Sequence, residues 1–83
     1  MSLTLVGSHL CPDTLYALNQ LCARKVNFTF RNISASLPDL KYYLALRDSS
    51  PLFDGPKASG SIGIPCFVQE DGTVTMDLEA VLS

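Results

Sequence analysis

The stretch LTLVGSHLCPDT, residues 3–14, decides how the rest of the chain can be arranged. Its apolar start predicts a buried strand over Leu3–Val6, which a Gly-Ser pair closes. A proline, which favours the first helical position, then opens an apolar helical pattern over Pro12–Ala23. A strand followed directly by a helix predicts the first half of a βαβ unit, and Cys11 lies at the junction.

The composition limits the classes of protein to consider. The 83 residues, 47 % hydrophobic and 17 % charged, predict one ordered domain over 1–83. The net charge is −2 and the six basic residues are scattered, so nucleic acid is not an expected partner. No run approaches the roughly 18 apolar residues of a membrane span, and no signal-peptide pattern opens the chain. We therefore expect a cytoplasmic protein without membrane contact.

The chain has three cysteines, Cys11, Cys22 and Cys66, and one histidine. An odd number of cysteines in a short chain without an export signal indicates reduced thiols rather than a disulfide framework. Zinc sites in proteins use about four closely spaced ligands, and this chain has no such spacing. No metal site is expected.

Two further elements follow the first helix. Val26–Arg31 alternates apolar and polar residues and predicts a strand, which completes a parallel βαβ unit. Ser36 is a suitable N-cap for a second helix that runs to about Asp48. Its inward face is predicted from the leucine spacing to consist of Leu37, Leu40 and Leu44.

The last third of the chain predicts a hairpin and a short helix. Ser49–Gly63 reads as a long loop, and Ile64–Val68 as a strand with a proline near its start. An Asp-Gly turn leads into a strand over Thr73–Met76, and Asp77 can cap a helix over Leu78–Leu82. The order βαβ, α, ββα predicts an α/β fold in which helices flank a four-stranded mixed sheet.

Cys11 lies where a cysteine can be reactive. A lone cysteine is most often a small buried hydrophobic residue. Here, however, Pro12 takes the first helical position, so the sulfur is expected to face unpaired amides at the positive end of the helix dipole. That environment favours the thiolate, which is the nucleophilic form.

The motif CPDT at residues 11–14, joined to GIP at residues 63–65 and to the predicted order of elements, resembles the glutaredoxins of the thioredoxin-like superfamily. The resemblance covers nearly the whole chain. It implies a thioredoxin-like fold and a thiol–disulfide oxidoreductase whose nucleophile is Cys11. It also implies that Pro65 is a cis-proline beside that cysteine, and that the backbone of Ile64 pairs with an extended thiol substrate.

The other cysteines depart from the dithiol pattern. Dithiol glutaredoxins have a second cysteine where this chain has Thr14, so the motif itself cannot form a disulfide. Cys22 lies roughly 16 Å along the helix from Cys11, beyond the reach of about 7 Å between Cα atoms. It is predicted to be a core residue on an apolar face with Leu15, Leu18 and Leu21. Pairing of Cys66 with Cys11 stays open, since strand alternation can turn its side chain away.

The residues around the sulfur also differ from the family pattern. Ser8 replaces the usual lysine, and Asp13 opposes a thiolate. His9 is a candidate proton acceptor or an exposed bystander, and Thr14 can donate a hydrogen bond to the sulfur or simply belong to the first turn. Asp77 keeps one of the acids with which the family holds the amino end of glutathione, although a helix cap alone also explains it.

The leading functional hypothesis is therefore a single-cysteine thiol–disulfide oxidoreductase. Cys11 would form a mixed disulfide with a small-molecule or protein thiol. No cofactor is required, and glutathione or another low-molecular-weight thiol can act as the second thiol. Two alternatives remain. One is binding of an iron–sulfur cluster with glutathione, for which the usual Cys-Gly-Phe-Ser motif is absent, and the other is a redox-inactive domain that binds proteins.

Overall fold

The computed structural model describes residues 3–50, 53, 55 and 63–82. In chain order the elements are β1 (Leu3–Gly7), α1 (Pro12–Ala23), β2 (Phe28–Asn32), α2 (Leu37–Ser49), β3 (Cys66–Val68), β4 (Val74–Thr75) and α3 (Leu78–Leu82). The predicted order of elements is confirmed, with strand ends that differ by up to two residues. The predicted loop falls largely outside the described residues, at positions 51, 52, 54 and 56–62. No helix in the described part of the chain is long and apolar enough to cross a bilayer.

The strands form one four-stranded sheet in the order β2-β1-β3-β4. β1 and β2 are parallel, with Leu3 opposite Phe28, and α1 makes the crossover that parallel neighbours need. β3 runs antiparallel to β1, with Val6 opposite Cys66, and β4 runs antiparallel to β3. The protein is therefore an α/β protein with a mixed sheet, as predicted.

Each face of the sheet has its own hydrophobic cluster, because successive strand side chains point to opposite faces. Leu5 and Phe67 pack on the face that α1 and α3 cover. Val6 and Cys66, their chain neighbours, pack on the face that α2 covers, and Phe53 joins them there. The sheet is thus covered by helices on both faces.

The inward face of α1 differs from the prediction. Thr14, Ala17 and Leu21 are buried, whereas Leu15 is 44 % exposed and Cys22 is also exposed. The prediction that Cys22 is a core residue is therefore wrong. The small side chains of Thr14 and Ala17 let α1 lie close to the sheet. With these residues facing the sheet, Leu15 and Cys22 face solvent.

The inward face of α2 was also predicted incorrectly. Leu37 is 62 % exposed and Leu44 is 39 % exposed, whereas Tyr43 is buried. The ring of Tyr43 meets that of Phe53 edge to face, with centroids 5.8 Å apart. An aromatic side chain buries more apolar area than a leucine, so the helix turns its tyrosine rather than those leucines toward the sheet.

The two predicted helix caps form. The Ser36 hydroxyl oxygen accepts a hydrogen bond from the Asp39 N–H at 3.3 Å and caps α2. A carboxylate oxygen of Asp77 accepts a hydrogen bond from the Glu79 N–H at 3.0 Å and caps α3. Both satisfy amides that the helix itself leaves unpaired.

The start of α1 rests directly on the end of β1, where Gly7 has no side chain. A Cβ atom at Gly7 would lie 2.5 Å from Oγ1 and 2.6 Å from Cγ2 of Thr14. Any larger residue would push α1 away from the sheet. The absence of a side chain at Gly7 therefore determines how closely Cys11 and its helix approach the strands.

We predict that Gly7→Ala lowers the free energy of unfolding by about 1–3 kcal/mol, because the added methyl overlaps Thr14. Gly55→Ala is the matched control, since a Cβ there meets nothing within 4 Å. Chemical denaturation should show the control unchanged or slightly more stable. Equal effects of the two substitutions would contradict the close approach.

Candidate functional site

Cys11 forms the junction between β1 and α1. It is the N-cap of α1, with an extended backbone (φ −99°, ψ 117°), and Pro12 is the first helical residue. Its main chain is held on both sides: its N–H donates to the Ser8 carbonyl at 3.0 Å, and its carbonyl accepts from the Leu15 N–H at 3.1 Å. The side chain is partly exposed. The structure thus places the cysteine at a helix start, within reach of solvent.

The first turn of α1 leaves donors unsatisfied. The sulfur of Cys11 accepts no capping hydrogen bond, and Pro12 has no N–H. Within the described part of the chain, the N–H groups of Asp13 and Thr14 have no hydrogen-bond partner. Two free amides and the positive end of the helix dipole therefore lie next to the cysteine in the chain.

Thr14 is part of the structural contact between the first turn of α1 and the loop before it. Its side chain is fully buried, and Oγ1 accepts a hydrogen bond from the Ser8 N–H at 3.3 Å. The predicted hydrogen bond to the Cys11 sulfur is not formed. Thr14 instead satisfies a buried amide of the loop that leads to the cysteine.

His9 is anchored to the end of β2. Its Nδ1 lies 2.9 Å from the side-chain nitrogen of Asn32. The Asn32 side-chain oxygen accepts from the N–H of Ser34 at 3.1 Å and of His9 at 3.5 Å. That pattern makes the Asn32 nitrogen a donor and Nδ1 an acceptor, so the neutral ring carries its proton on Nε2. The contacts of His9 with Asn32 therefore hold the loop before Cys11 to the end of β2.

A pair of serine hydroxyls also joins the loop before Cys11 to the loop after β2, and sequence reasoning missed this contact. The hydroxyl of Ser8 is hydrogen-bonded to that of Ser34 and also accepts from the Leu10 N–H at 3.0 Å. Ser8 is only 5 % exposed, so the position where glutaredoxins have a lysine holds a buried serine. The signal that could have found them is their position, because Ser8 and Ser34 lie just beyond the carboxyl ends of the parallel strands β1 and β2.

Pro65 lies across the sheet from the end of β1. The Ile64–Pro65 peptide bond is cis, the conformation that the glutaredoxin resemblance implied. Continuing the β1–β3 register by one residue places Pro65 opposite Gly7. Within the described residues, the N–H and the carbonyl of Ile64 have no hydrogen-bond partner. A free main-chain edge therefore precedes β3.

A groove of about 280 Å³ lies between α1, Pro65 and the start of α3. It is lined by Asp13, Tyr16, Ala17, Pro65, Met76, Asp77, Leu78 and Glu79. Two predicted site residues, Pro65 and Asp77, thus line the same groove as the first turns of α1. Cys11, His9 and Thr14 are not among the residues that line it. The cysteine precedes the α1 wall of this groove by two residues.

Cys66 lies on the other face of the sheet. It is fully buried with Val6, Tyr43 and Phe53, and burial raises the pKa of its thiol from 9.0 to about 12. A buried, protonated thiol is a poor nucleophile. The pairing of Cys66 with Cys11 that the sequence left open is not formed, and all three cysteines are free thiols. Among the described residues, no three metal-binding side chains come together.

These features define an α/β protein with a partly exposed cysteine at a helix start, beside a groove with a cis-proline. The chain is 43 % identical over 68 residues to an uncharacterized protein of Haemophilus influenzae, covering 82 % of this chain and 79 % of that protein. It belongs to the same protein family as that Haemophilus protein. No family model and no solved structure gives a significant match.

We predict that Thr14→Val lowers the free energy of unfolding by about 1–3 kcal/mol, because the buried Ser8 amide loses its acceptor. Thr14→Ser is the matched variant that keeps the hydroxyl. Amide hydrogen exchange of Ser8 should be fast in the valine variant and slow in the serine variant. Slow exchange in both would contradict the role of Thr14.

The pH dependence of stability should report on Cys66. As the pH rises, the unfolded thiol loses its proton near its ordinary pKa of 9.0, whereas the folded thiol keeps its proton until about 12. Stability from this group is thus intact below pH 9 and falls above it, by at most about 1.4 kcal/mol per pH unit. Denaturation of Cys66→Ala should show a shallower alkaline decline, with Cys22→Ser as control. Identical declines would contradict the shift.

Proposed function

We propose that the protein is a single-cysteine thiol–disulfide oxidoreductase of the glutaredoxin type, with a thioredoxin-like fold. The observation that carries the proposal is the position of Cys11, a partly exposed N-cap residue next to two unpaired amides and beside a groove with cis-Pro65. The strand order and the helices on both faces of the sheet are compatible with that fold. The site residues are Cys11 and Pro12, with Ile64 and Pro65 as the substrate edge.

The reaction needs only one protein thiol. The Cys11 thiolate attacks one sulfur of a disulfide, the sulfur–sulfur bond breaks, and the other sulfur leaves as a thiolate that takes a proton from water. Cys11 is then held in a mixed disulfide with the first half of the substrate. A second thiolate, from glutathione or another small thiol, attacks that half and releases Cys11 as a thiolate.

Each site element has a defined part in this reaction. The free amides of the first turn and the helix dipole favour negative charge on the leaving and attacking sulfur. The unpaired main-chain groups of Ile64 can pair with an extended substrate in the manner of an added strand. The loop hydrogen bonds of Ser8 and His9 hold Cys11 in place without contacting the sulfur.

The chain contains its own reference thiol, since Cys22 is exposed on α1, near the C-terminal end of that helix. Neutral dipyridyl disulfide should react with Cys11 in the Cys22→Ser protein at least about tenfold faster than with Cys22 in the Cys11→Ser protein at pH 7, because only Cys11 lies at the positive end of the dipole. Absorbance of the released thione gives both rates, and mass spectrometry identifies the modified residue.

A second measurement tests turnover. With excess small-molecule thiol, the Cys22→Ser protein should accelerate the reduction of a mixed disulfide, and the Cys11→Ser variant should not. If Cys11 reacts no faster than Cys22 and no turnover occurs, the proposal is wrong and the fold serves binding without redox chemistry.

A further inference from the structure

The groove beside Cys11 has an apolar floor. Tyr16 is 57 % exposed and lines one wall. Pro65, Met76 and Leu78 are partly buried and also line the groove. At about 280 Å³, the groove is slightly smaller than typical ligand sites and fits a long side chain rather than a bulky ligand.

The rim of the same groove is acidic. Asp13, Asp77 and Glu79 line it, and none of the lysines and arginines that the structure describes does. Asp77 is fixed by the hydrogen bond from the Glu79 N–H. Within the part of the chain that the structure describes, none of the three carboxylates forms an ion pair. The groove therefore presents negative charge that the described cations leave unbalanced.

Three of the described basic residues, Arg24, Lys25 and Arg31, do not line the groove. Arg31 forms an ion pair with Asp39 at 3.0 Å and stacks on the ring of Tyr42, 4.1 Å from its centroid. Arg24 and Lys25 follow the C-terminal end of α1, whereas the groove lies along its first turns. Neither group shields the acidic rim, so the local field favours a cation.

Charge and shape together define the occupant. An apolar stem that ends in a positive charge is the side chain of lysine or arginine, which can lie on an apolar floor with its head at a polar rim. The exposed face of Tyr16 can add a cation–π contact. An anionic ligand meets three like charges.

The free main-chain edge favours a polypeptide as the bearer of that side chain. Among the described residues, nothing pairs with the N–H or the carbonyl of Ile64, which directly precedes Pro65 at the groove. An extended segment that pairs with this edge carries its neighbouring side chains along the groove. Resting on the proposed oxidoreductase function, we infer that the substrates are extended peptide segments of proteins in which a lysine or arginine neighbours the reacting cysteine.

Two peptides of otherwise identical sequence test the inference. Each carries one cysteine as a mixed disulfide with pyridinethiol, flanked by lysine in one peptide and by glutamate in the other. The Cys22→Ser protein should react with the lysine peptide at least about tenfold faster at low ionic strength. To correct for the intrinsic reactivity of the peptides, the lysine-to-glutamate rate ratio of the protein is divided by the same ratio measured with neutral 2-mercaptoethanol. The corrected ratio should decrease as salt is added.

Charge-removing variants locate the effect. Asp13→Asn and Glu79→Gln should each lower the lysine-to-glutamate ratio by about two- to threefold. Asp48→Asn removes the same charge from an exposed position on α2, outside the groove, and should leave the ratio unchanged. Because each value is a ratio of two rates, a change in the intrinsic reactivity of Cys11 cancels.

The outcomes separate the two proposals. A ratio near one, or an equal decrease in the Asp48→Asn control, overturns the assignment of the groove. If neutral dipyridyl disulfide still reacts rapidly with Cys11 in that case, only the substrate class is wrong. If the neutral reagent also reacts slowly, the oxidoreductase proposal fails first.

Discussion

The close contact between the end of β1 and the first turn of α1 is the constraint on which the rest of the site depends. Gly7 leaves room for Thr14, and Thr14 in turn pairs with the buried N–H of Ser8. With those two points joined, only a short loop remains before Cys11, and its own N–H closes back on Ser8. The packing that buries Thr14 thus also holds Cys11 at the start of the helix.

Environment rather than residue type separates the three cysteines. Cys66 shares a cluster with Tyr43, and its raised pKa keeps it protonated and inert. Cys22 lies exposed on the surface of α1. Cys11 combines partial exposure with unpaired amides. The proposed mechanism therefore uses one cysteine, since all three are free thiols and Cys66 is buried on the other face of the sheet.

The charge near Cys11 bears on which thiol the proposed reaction would use. Ser8, buried and hydrogen-bonded, stands where a lysine would attract the carboxylate of glutathione. Asp13 and Glu79 add negative charge at the groove. In the proposed function both differences act in the same direction, because each would disfavour an anionic thiol and favour a cationic one. The main-chain edge at Ile64 is unaffected by either.

Local pattern determined much of the protein from the sequence alone: the order of strands and helices, the caps at Ser36 and Asp77, and the cysteine at a helix start. These depend on neighbours a few residues apart. The buried faces of α1 and α2 were decided only by tertiary packing. Leucine spacing defines an apolar stripe but not which side of it meets the sheet, and Thr14, Ala17 and Tyr43 took the positions predicted for leucines. Contacts between distant segments, such as those of His9 with Asn32 and of Gly7 with Thr14, have no local signature, because their energy depends on the completed fold.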